Sequence, residues 1–409
     1  MKIFAIFFLF IFLIKEPFQI YLIFGDGYKI LYSVAVIFTL LFFQKIRRSK
    51  ILALYVIYVL LMLTVFNISL FFGSYDLNLM LSIQFLASLA LFFVLYILAS
   101  KIKNPLKILS VINSLAVILS VFSLIIMLLL LLDWDIFMII TFFPENGREG
   151  MLFMLPFGFL HNPFDFGITG YRSYGYASEP AKLAFFLVPF VFYNYHYFSI
   201  TKLKKYLVYS IVVFLVVVST RSTAAFITLL FSTFFYFWLV NKINLKFFML
   251  ILAITVTFVS VSVSVFVLDD FFYINYLSYV NRIYEWTYAI QGIFNNIFGI
   301  GLGNGYEETL VFDENIRQIR SYTTATNVLN LLVSLGVLAL APLVFFGVIL
   351  FIVMKKLVED NTSLSNLLAV FLFSSSFFLI SINMIFSPIY LFYIALSIYY
   401  LGGHKECRV

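Results

Sequence analysis

The sequence predicts an all-α polytopic membrane protein with about 12 transmembrane helices, both termini inside, and two large extracytoplasmic loops. Hydrophobic residues make up 64% of the chain and charged residues only 11%. Apolar runs near 20 residues recur along the sequence, which is the length that a helix needs to cross a hydrocarbon core of about 30 Å. Spanning helices satisfy their own backbone hydrogen bonds, as lipid requires. This pattern excludes a soluble globule, a disordered chain and an outer-membrane barrel, whose strands would alternate polar and apolar residues.

The predicted spans form a single integral membrane domain over residues 1–409. They lie near 3–23, 30–44, 51–72, 79–100, 108–132, 181–199, 206–219, 222–240, 247–268, 326–354, 363–383 and 389–401. The first run resembles a secretion signal, but it lacks a small-residue cleavage site. We therefore expect it to be a retained first span.

The joints between the spans alternate in charge. One set is short and basic, and by the positive-inside rule it is cytoplasmic. This set carries 17 of the 26 lysines and arginines, whereas 16 of the 19 acidic residues fall on the other set or at its edge. The two long loops, 133–180 and 269–325, belong to the second set. Any chemistry is therefore expected outside the cytoplasm.

The same layout excludes several function classes. The inner joints are nearly all under ten residues, so an ATP-driven pump or a kinase would have no place to bind its nucleotide. The net charge of +7 follows from topology and does not indicate nucleic acid. One cysteine, Cys407, excludes disulfides, and three scattered histidines do not form a zinc motif. We expect no cofactor and no metal.

Two acidic pairs leave a metal site open as an alternative. Asp133 and Asp135 have the D-x-D spacing that metal-dependent glycosyltransferases use, and Asp269 and Asp270 are similar. Acids are also ordinary where a span meets the outer surface, and we favour that interpretation.

Arginine is concentrated on the outer side. Six of the nine outer cations are arginine, against three of the seventeen inner ones. The planar guanidinium binds phosphate oxygens through two hydrogen bonds, whereas lysine is a compact, strongly hydrated charge. The six are Arg148, Arg172, Arg221, Arg282, Arg317 and Arg320. Solvated loop arginines are the competing interpretation for Arg148, Arg317 and Arg320.

Arg221 interrupts an otherwise uncharged run from Tyr206 to Val240. From Lys205 to Arg221, a helix would cover only about 24 Å. Either this helix is short or Arg221 lies below the outer surface, where an arginine is costly and marks a site or pathway. Snorkelling to the outer headgroups is the alternative.

Arg172 and Arg282 each lie in a polar segment with a nearby glutamate. Glu179 and Pro180 follow Arg172 at the predicted start of a span, where Glu179 would complement the helix dipole or act as a general base. Arg282 and Glu285 are one helical turn apart and could simply pair.

These segments resemble, in order, motifs of the O-antigen polymerase and ligase superfamily of envelope glycosyltransferases, the Wzy-like proteins. The resemblance also covers the layout of about a dozen spans and two large external loops. Four patterns carry the resemblance: Arg172-x-x-Gly175-x-x-x-Glu179-Pro180, Ser219-Thr220-Arg221-Ser222, Arg282-x-x-x-Trp286 with Phe298-Gly-Ile-Gly-Leu-Gly303, and the stretch from Thr326-Asn327 to Gly336. Thr326 stands where ligases and many relatives carry histidine, which favours a polymerase.

The resemblance implies a GT-C-like fold and a glycosyl transfer at the periplasmic face of a bacterial inner membrane. The substrate would be an oligosaccharide linked to undecaprenyl diphosphate, and a chain-length regulator and a flippase would be possible partners. Arg172, Arg221, Arg282 and Glu179 would be catalytic. Substrate-binding residues would be Tyr176, Glu285, Arg317, Arg320 and Asn327.

Two alternatives stay open from the sequence. A flippase or transporter fits twelve spans and a cationic cavity, but no repeated halves with broken helices are visible. A ligase would differ from a polymerase only in the acceptor of the transferred glycan.

Overall fold

A computed structural model describes the core of the chain. It covers residues 50–72, 79–100, 105–131, 138–142, 150–155, 158–161, 172–173, 180–220, 222–241, 293–294, 296–299, 327–379 and 387–402. The predicted spans 3–23, 30–44 and 247–268 lie outside the described residues.

Ten α-helices lie in this part of the chain. They are α1 (Lys50–Phe72), α2 (Leu79–Ser100), α3 (Pro105–Leu131), α4 (Pro180–Thr201), α5 (Lys204–Ser219), α6 (Thr223–Asn241), α7 (Asn327–Leu335), α8 (Leu340–Asp360), α9 (Ser363–Phe378) and α10 (Pro388–Leu401).

Four helical segments are long and apolar enough to cross a membrane: Lys50–Phe72, Lys107–Ile126, Ala181–Thr201 and Val337–Asp360. Four shorter apolar helices accompany them. The chain is thus a helical membrane protein, while the total of twelve spans stays a prediction.

Eight of the predicted spans coincide with single helices to within a few residues. The ninth, 326–354, is broken. Its first part is α7, and Gly336 then interrupts the helix with φ 79° and ψ −176°. A 3₁₀ turn, Val337–Ala339, leads into α8. A hydropathy window averages many residues, and a single glycine changes that average little. The hydropathy profile therefore could not reveal this break.

A small sheet was not predicted. Four antiparallel strands in the order β1-β2-β3-β4 lie within the predicted outer loop 133–180. They are β1 (Met138–Phe142), β2 (Gly150–Leu155), β3 (Gly158–His161) and β4 (Arg172–Ser173). Short apolar runs of this kind are ambiguous in sequence, because length alone separates a buried strand from a piece of helix.

Helices α4 and α5 form an antiparallel hairpin. The connection is only two residues long, and Lys202 adopts a left-handed conformation with φ 57°. The Ser210 hydroxyl donates to the Val191 carbonyl at 3.0 Å. The Tyr197 and Tyr206 rings lie 5.5 Å apart nearer the turn. The start of α4 and the end of α5 therefore lie at the same end of the hairpin.

The other helices align with this hairpin. Helix α9 runs antiparallel to α4, because Phe185 contacts Phe378 and His196 bonds to Ser363 at the opposite end. Helix α6 runs antiparallel to α9, and α10 returns beside α9 in the same direction as α8. The described part of the molecule is therefore a bundle with two distinct ends.

One end of the bundle, here called the lysine end, carries exposed lysines. They are Lys50, Lys107, Lys202, Lys204, Lys205, Lys355 and Lys356. The opposite end, here called the sheet end, is where α3 ends, α4 begins and α5 ends. Strands β2 and β3 contact α3 there, and β4 contacts α5.

The core is rich in aromatic rings. Nearly every side chain of α10 is buried, and this helix packs on α2, α8 and α9. Tyr55 stacks on Phe92 with ring centroids 3.5 Å apart, and Phe371 meets Tyr393 edge-on at 5.0 Å. In a membrane such rings contribute through close packing, because lipid tails are as apolar as the core itself.

Polar bonds join helices inside the bundle. Asn113 and Asn194 exchange amide hydrogen bonds of 2.9 and 2.7 Å between α3 and α4. At the lysine end, His196 bonds to Tyr236 at 3.0 Å and to Ser363 at 2.8 Å, which links α4, α6 and α9. These bonds fix the helices relative to one another where dispersion forces alone would allow sliding.

Candidate functional site

A tight polar reversal lies at the sheet end, between α5 and α6. Only residues 220–222 separate the two helices. Ser222 acts as the N-cap of α6, because its hydroxyl accepts from the Ala225 N–H at 3.4 Å. The Thr220 hydroxyl donates to the Val217 carbonyl at 2.7 Å and so closes α5. The described residues of this connection therefore form a tight polar reversal.

This reversal is recessed into the protein. Thr220 is fully buried and Ser222 is 4% exposed. Helix α5 has 16 residues and so covers about 24 Å, less than a hydrocarbon core of about 30 Å. Arg221 itself lies outside the described residues. Its two neighbours in sequence, however, are both buried at the end of this short helix.

Arg172 lies on β4 at the same end of the bundle. It stands opposite His161 in the register of β3 and β4. Strand β4 contacts α5, the helix that leads into the reversal. The α4–α5 hairpin also places Pro180, the first residue of α4, level with the end of α5. The fold thus brings the Arg172 strand and the reversal at 220–222 to one end of one hairpin.

The sheet end contains helix termini of both polarities, because α3 and α5 end there with a partial negative charge. Helices α4 and α6 both begin there, and a helix N-terminus carries a partial positive charge. The exposed lysines of the lysine end lie at the far side of the bundle. A negatively charged group at the sheet end would therefore depend on helix termini and on the local cations.

A second feature of the sheet end is a crossing of two backbones. Gly299 and Gly336 are both buried and both have positive φ, 86° and 79°. A Cβ placed on Gly299 would lie 2.6 Å from the Gly336 nitrogen, and one on Gly336 would lie 2.6 Å from the Gly299 nitrogen. The two motifs that contain these glycines are separate in sequence but in contact in the fold.

Few of the predicted site residues lie in the described part of the chain. Arg172 and Asn327 lie in described elements, at β4 and at the first residue of α7. The others lie outside the described residues: Arg221, Arg282, Glu179, Tyr176, Glu285, Arg317 and Arg320. Their roles stay predictions.

Sequence reasoning missed three features. The Gly299–Gly336 crossing joins residues 37 positions apart, and no local pattern encodes it. The Asn113–Asn194 pair and the His196 linkage were missed as well. A polar residue inside an apolar run was the available signal for these two, but it does not identify the partner.

In the described part of the chain, no group of three or more His, Cys, Asp or Glu side chains is placed to hold a metal ion. No protein-family description, curated protein or solved structure matches the chain. The resemblance to the O-antigen polymerase and ligase superfamily therefore stays a prediction carried by its motifs.

Proposed function

We propose that this protein is a repeat-unit polymerase of a bacterial envelope polysaccharide, acting at the outer face of the cytoplasmic membrane. It would transfer a growing glycan from undecaprenyl diphosphate to the non-reducing end of a lipid-linked repeat unit. The observation that carries the proposal is the recessed reversal at 220–222, at the same end of the bundle as Arg172. That end is also opposite the seven exposed lysines of the lysine end.

The proposed reaction is a displacement at the anomeric carbon of the growing glycan. The bond from that carbon to the diphosphate oxygen breaks, and a bond to the acceptor hydroxyl oxygen forms. Glu179 or Glu285 accepts the hydroxyl proton. The lipid diphosphate departs with the electron pair, and Arg172, Arg221 and Arg282 stabilise the negative charge that develops on it.

Binding of the sugars is a separate part of the proposal. Tyr176 would stack on a sugar ring, and Asn327 would hydrogen-bond to sugar hydroxyls. Arg317 and Arg320 would bind charged or hydroxyl groups of the substrate. The scheme requires no metal and no nucleotide sugar, because the donor is already activated by its diphosphate.

The test is Arg221→Ala in a strain that lacks the native gene. We expect long chains to disappear and single-unit products to remain, with a rate loss on the order of 100-fold or more, as for removal of one oxyanion donor. Arg221→Lys should restore little, because lysine lacks the two-pronged geometry. Arg148→Ala serves as the matched control and should retain long chains. Long chains in the Arg221→Ala strain would refute the role of Arg221.

A deletion strain distinguishes the alternative functions. Loss of a polymerase leaves single units capped on the lipid A–core. Bare lipid A–core with accumulated polymer would indicate a ligase instead. Lipid-linked units stalled on the inner leaflet would indicate a flippase, and either of these results would overturn the proposal.

A further inference from the structure

The Gly299–Gly336 crossing joins a turn to a helix break. On one side, residues 296–299 form a tight turn in which the Gly299 N–H donates to the Asn296 carbonyl at 2.8 Å. On the other side, Gly336 separates α7 from α8. The Val337 N–H donates across the crossing to the Ile297 carbonyl at 3.0 Å. The two segments are therefore bonded as well as in contact.

Both positions require glycine for two independent reasons. At φ 79° and ψ −176°, Gly336 occupies a backbone region that is essentially restricted to glycine. Gly299 also has positive φ. In addition, a Cβ on either residue would meet backbone atoms of the other segment, which cannot rotate away as a flexible side chain could.

The crossing also holds the end of α1. The Ser69 hydroxyl donates to the Ser334 carbonyl at 3.2 Å, next to the helix break. The Phe72 and Phe298 rings lie 5.5 Å apart. Three segments thus meet here: the end of α1, the 296–299 turn and the end of α7. In a membrane, a non-helical backbone of this kind is tolerated only where it is buried in protein or lines a cavity.

We infer that Gly299 and Gly336 are a positioning pair, whose crossing holds α7 against α1 and thereby fixes the place of Asn327, the first residue of α7. The pair contacts no substrate. It acts through α7, a nine-residue helix that begins at Asn327. The link to Asn327 as a sugar-binding residue rests on the proposed function, whereas the anchoring of α7 does not.

The first arm of the test measures anchoring without activity. Hydrogen–deuterium exchange would be followed by mass spectrometry on the purified full-length protein, for Gly299→Ala, Gly336→Ala and Gly347→Ala. Gly347 lies within α8 and has open space where a Cβ would stand, so it is the matched control. We expect peptides covering 327–339 to exchange at least tenfold faster in the first two variants only. Peptides from the middle of α9 should be unchanged in all three.

The second arm measures the split between kcat and KM with a lipid-linked repeat unit as substrate. A positioning role predicts that Gly336→Ala, where it folds, raises KM at least tenfold relative to Gly347→Ala. Equal exchange and equal KM in the Gly336→Ala and Gly347→Ala proteins would overturn the inference.

If Gly299→Ala and Gly336→Ala both fail to fold, two milder variants test the inference. Ser69→Ala and Phe72→Ala each remove one contact of the crossing and leave both glycines in place. We expect each to increase exchange at 327–339 severalfold, and wild-type exchange in both would overturn the inference. If the exchange result holds but the wild-type protein does not extend lipid-linked units, the proposed function fails and the anchoring of α7 stands.

Discussion

Two buried amides in the described core, those of Asn113 and Asn194, form a pair. Asn113 and Asn194 each satisfy the other, and Asn194 also donates to the Phe190 carbonyl at 2.8 Å. An amide left alone at this depth would have no water to bond. The pair therefore fixes the register of α3 against α4, the helix that begins beside the proposed site.

We predict that Asn113→Leu lowers the free energy of unfolding by about 1–2 kcal/mol, because it removes both bonds between the two amides and leaves the Asn194 side-chain oxygen without its donor. The double variant Asn113→Leu with Asn194→Leu should lose less than the sum of the two single variants. Unfolding in detergent gives these values. Asn67→Leu is the control, since Asn67 is exposed and bonds only within its own helix. An additive double variant would contradict the pairing.

The local sequence around Arg221 predicts the kind of place it occupies but not the groups that surround it. Its position in an apolar run predicted a recessed polar turn, and the buried Thr220 and Ser222 agree with that prediction. The partners of its guanidinium are not a property of the local sequence. They depend on which segments the fold brings to the sheet end.

Helix α6 begins at a defined cap next to the proposed site. The Ser222 hydroxyl and carbonyl both accept N–H groups of the first turn, from Ala225 and Phe226. This cap sets the point at which the chain leaves the reversal.

We predict that Ser222→Ala lowers the free energy of unfolding by about 1 kcal/mol, while Ser222→Asn, which can also cap, changes it little. Thermal unfolding in detergent measures both. Because the cap ends the reversal that contains Arg221, Ser222→Ala should also shorten the polysaccharide chains. Equal stability of the Ala and Asn variants would show that the cap contributes nothing.

The broken span is the element that sequence patterns described least well. Residues 326–354 are apolar apart from Thr326, Asn327, Asn330 and Ser334, and they predicted one long helix. At the break, backbone atoms of the turn at 296–299 lie where a Cβ on Gly336 would stand. A contact from outside the segment therefore coincides with the point where the helix is interrupted.

The two ends of the bundle differ in charge, which makes the orientation testable. With Cys407 replaced by serine, a single cysteine would be introduced in place of Lys202 or Asn361 at the lysine end, or in place of Phe72 at the end of α1. All three residues are exposed. A membrane-impermeant maleimide should label only the Phe72 position in intact cells and all three after permeabilisation. Labelling of the Lys202 position in intact cells would reverse the topology.

Composition and charge order were sufficient to predict the class of this protein and most of its helix boundaries. Hydrophobicity and the cost of an unpaired backbone in lipid act locally, so a window of 20 residues contains the necessary information.

Only the tertiary structure decided which segments meet. The contact of β4 with α5, the Gly299–Gly336 crossing and the Asn113–Asn194 pair all join residues far apart in sequence. Helices of similar hydropathy can pack in many orders, because lipid does not discriminate among their apolar faces. The order is selected by a few close backbone approaches and buried polar bonds, and these exist only once the helices are assembled.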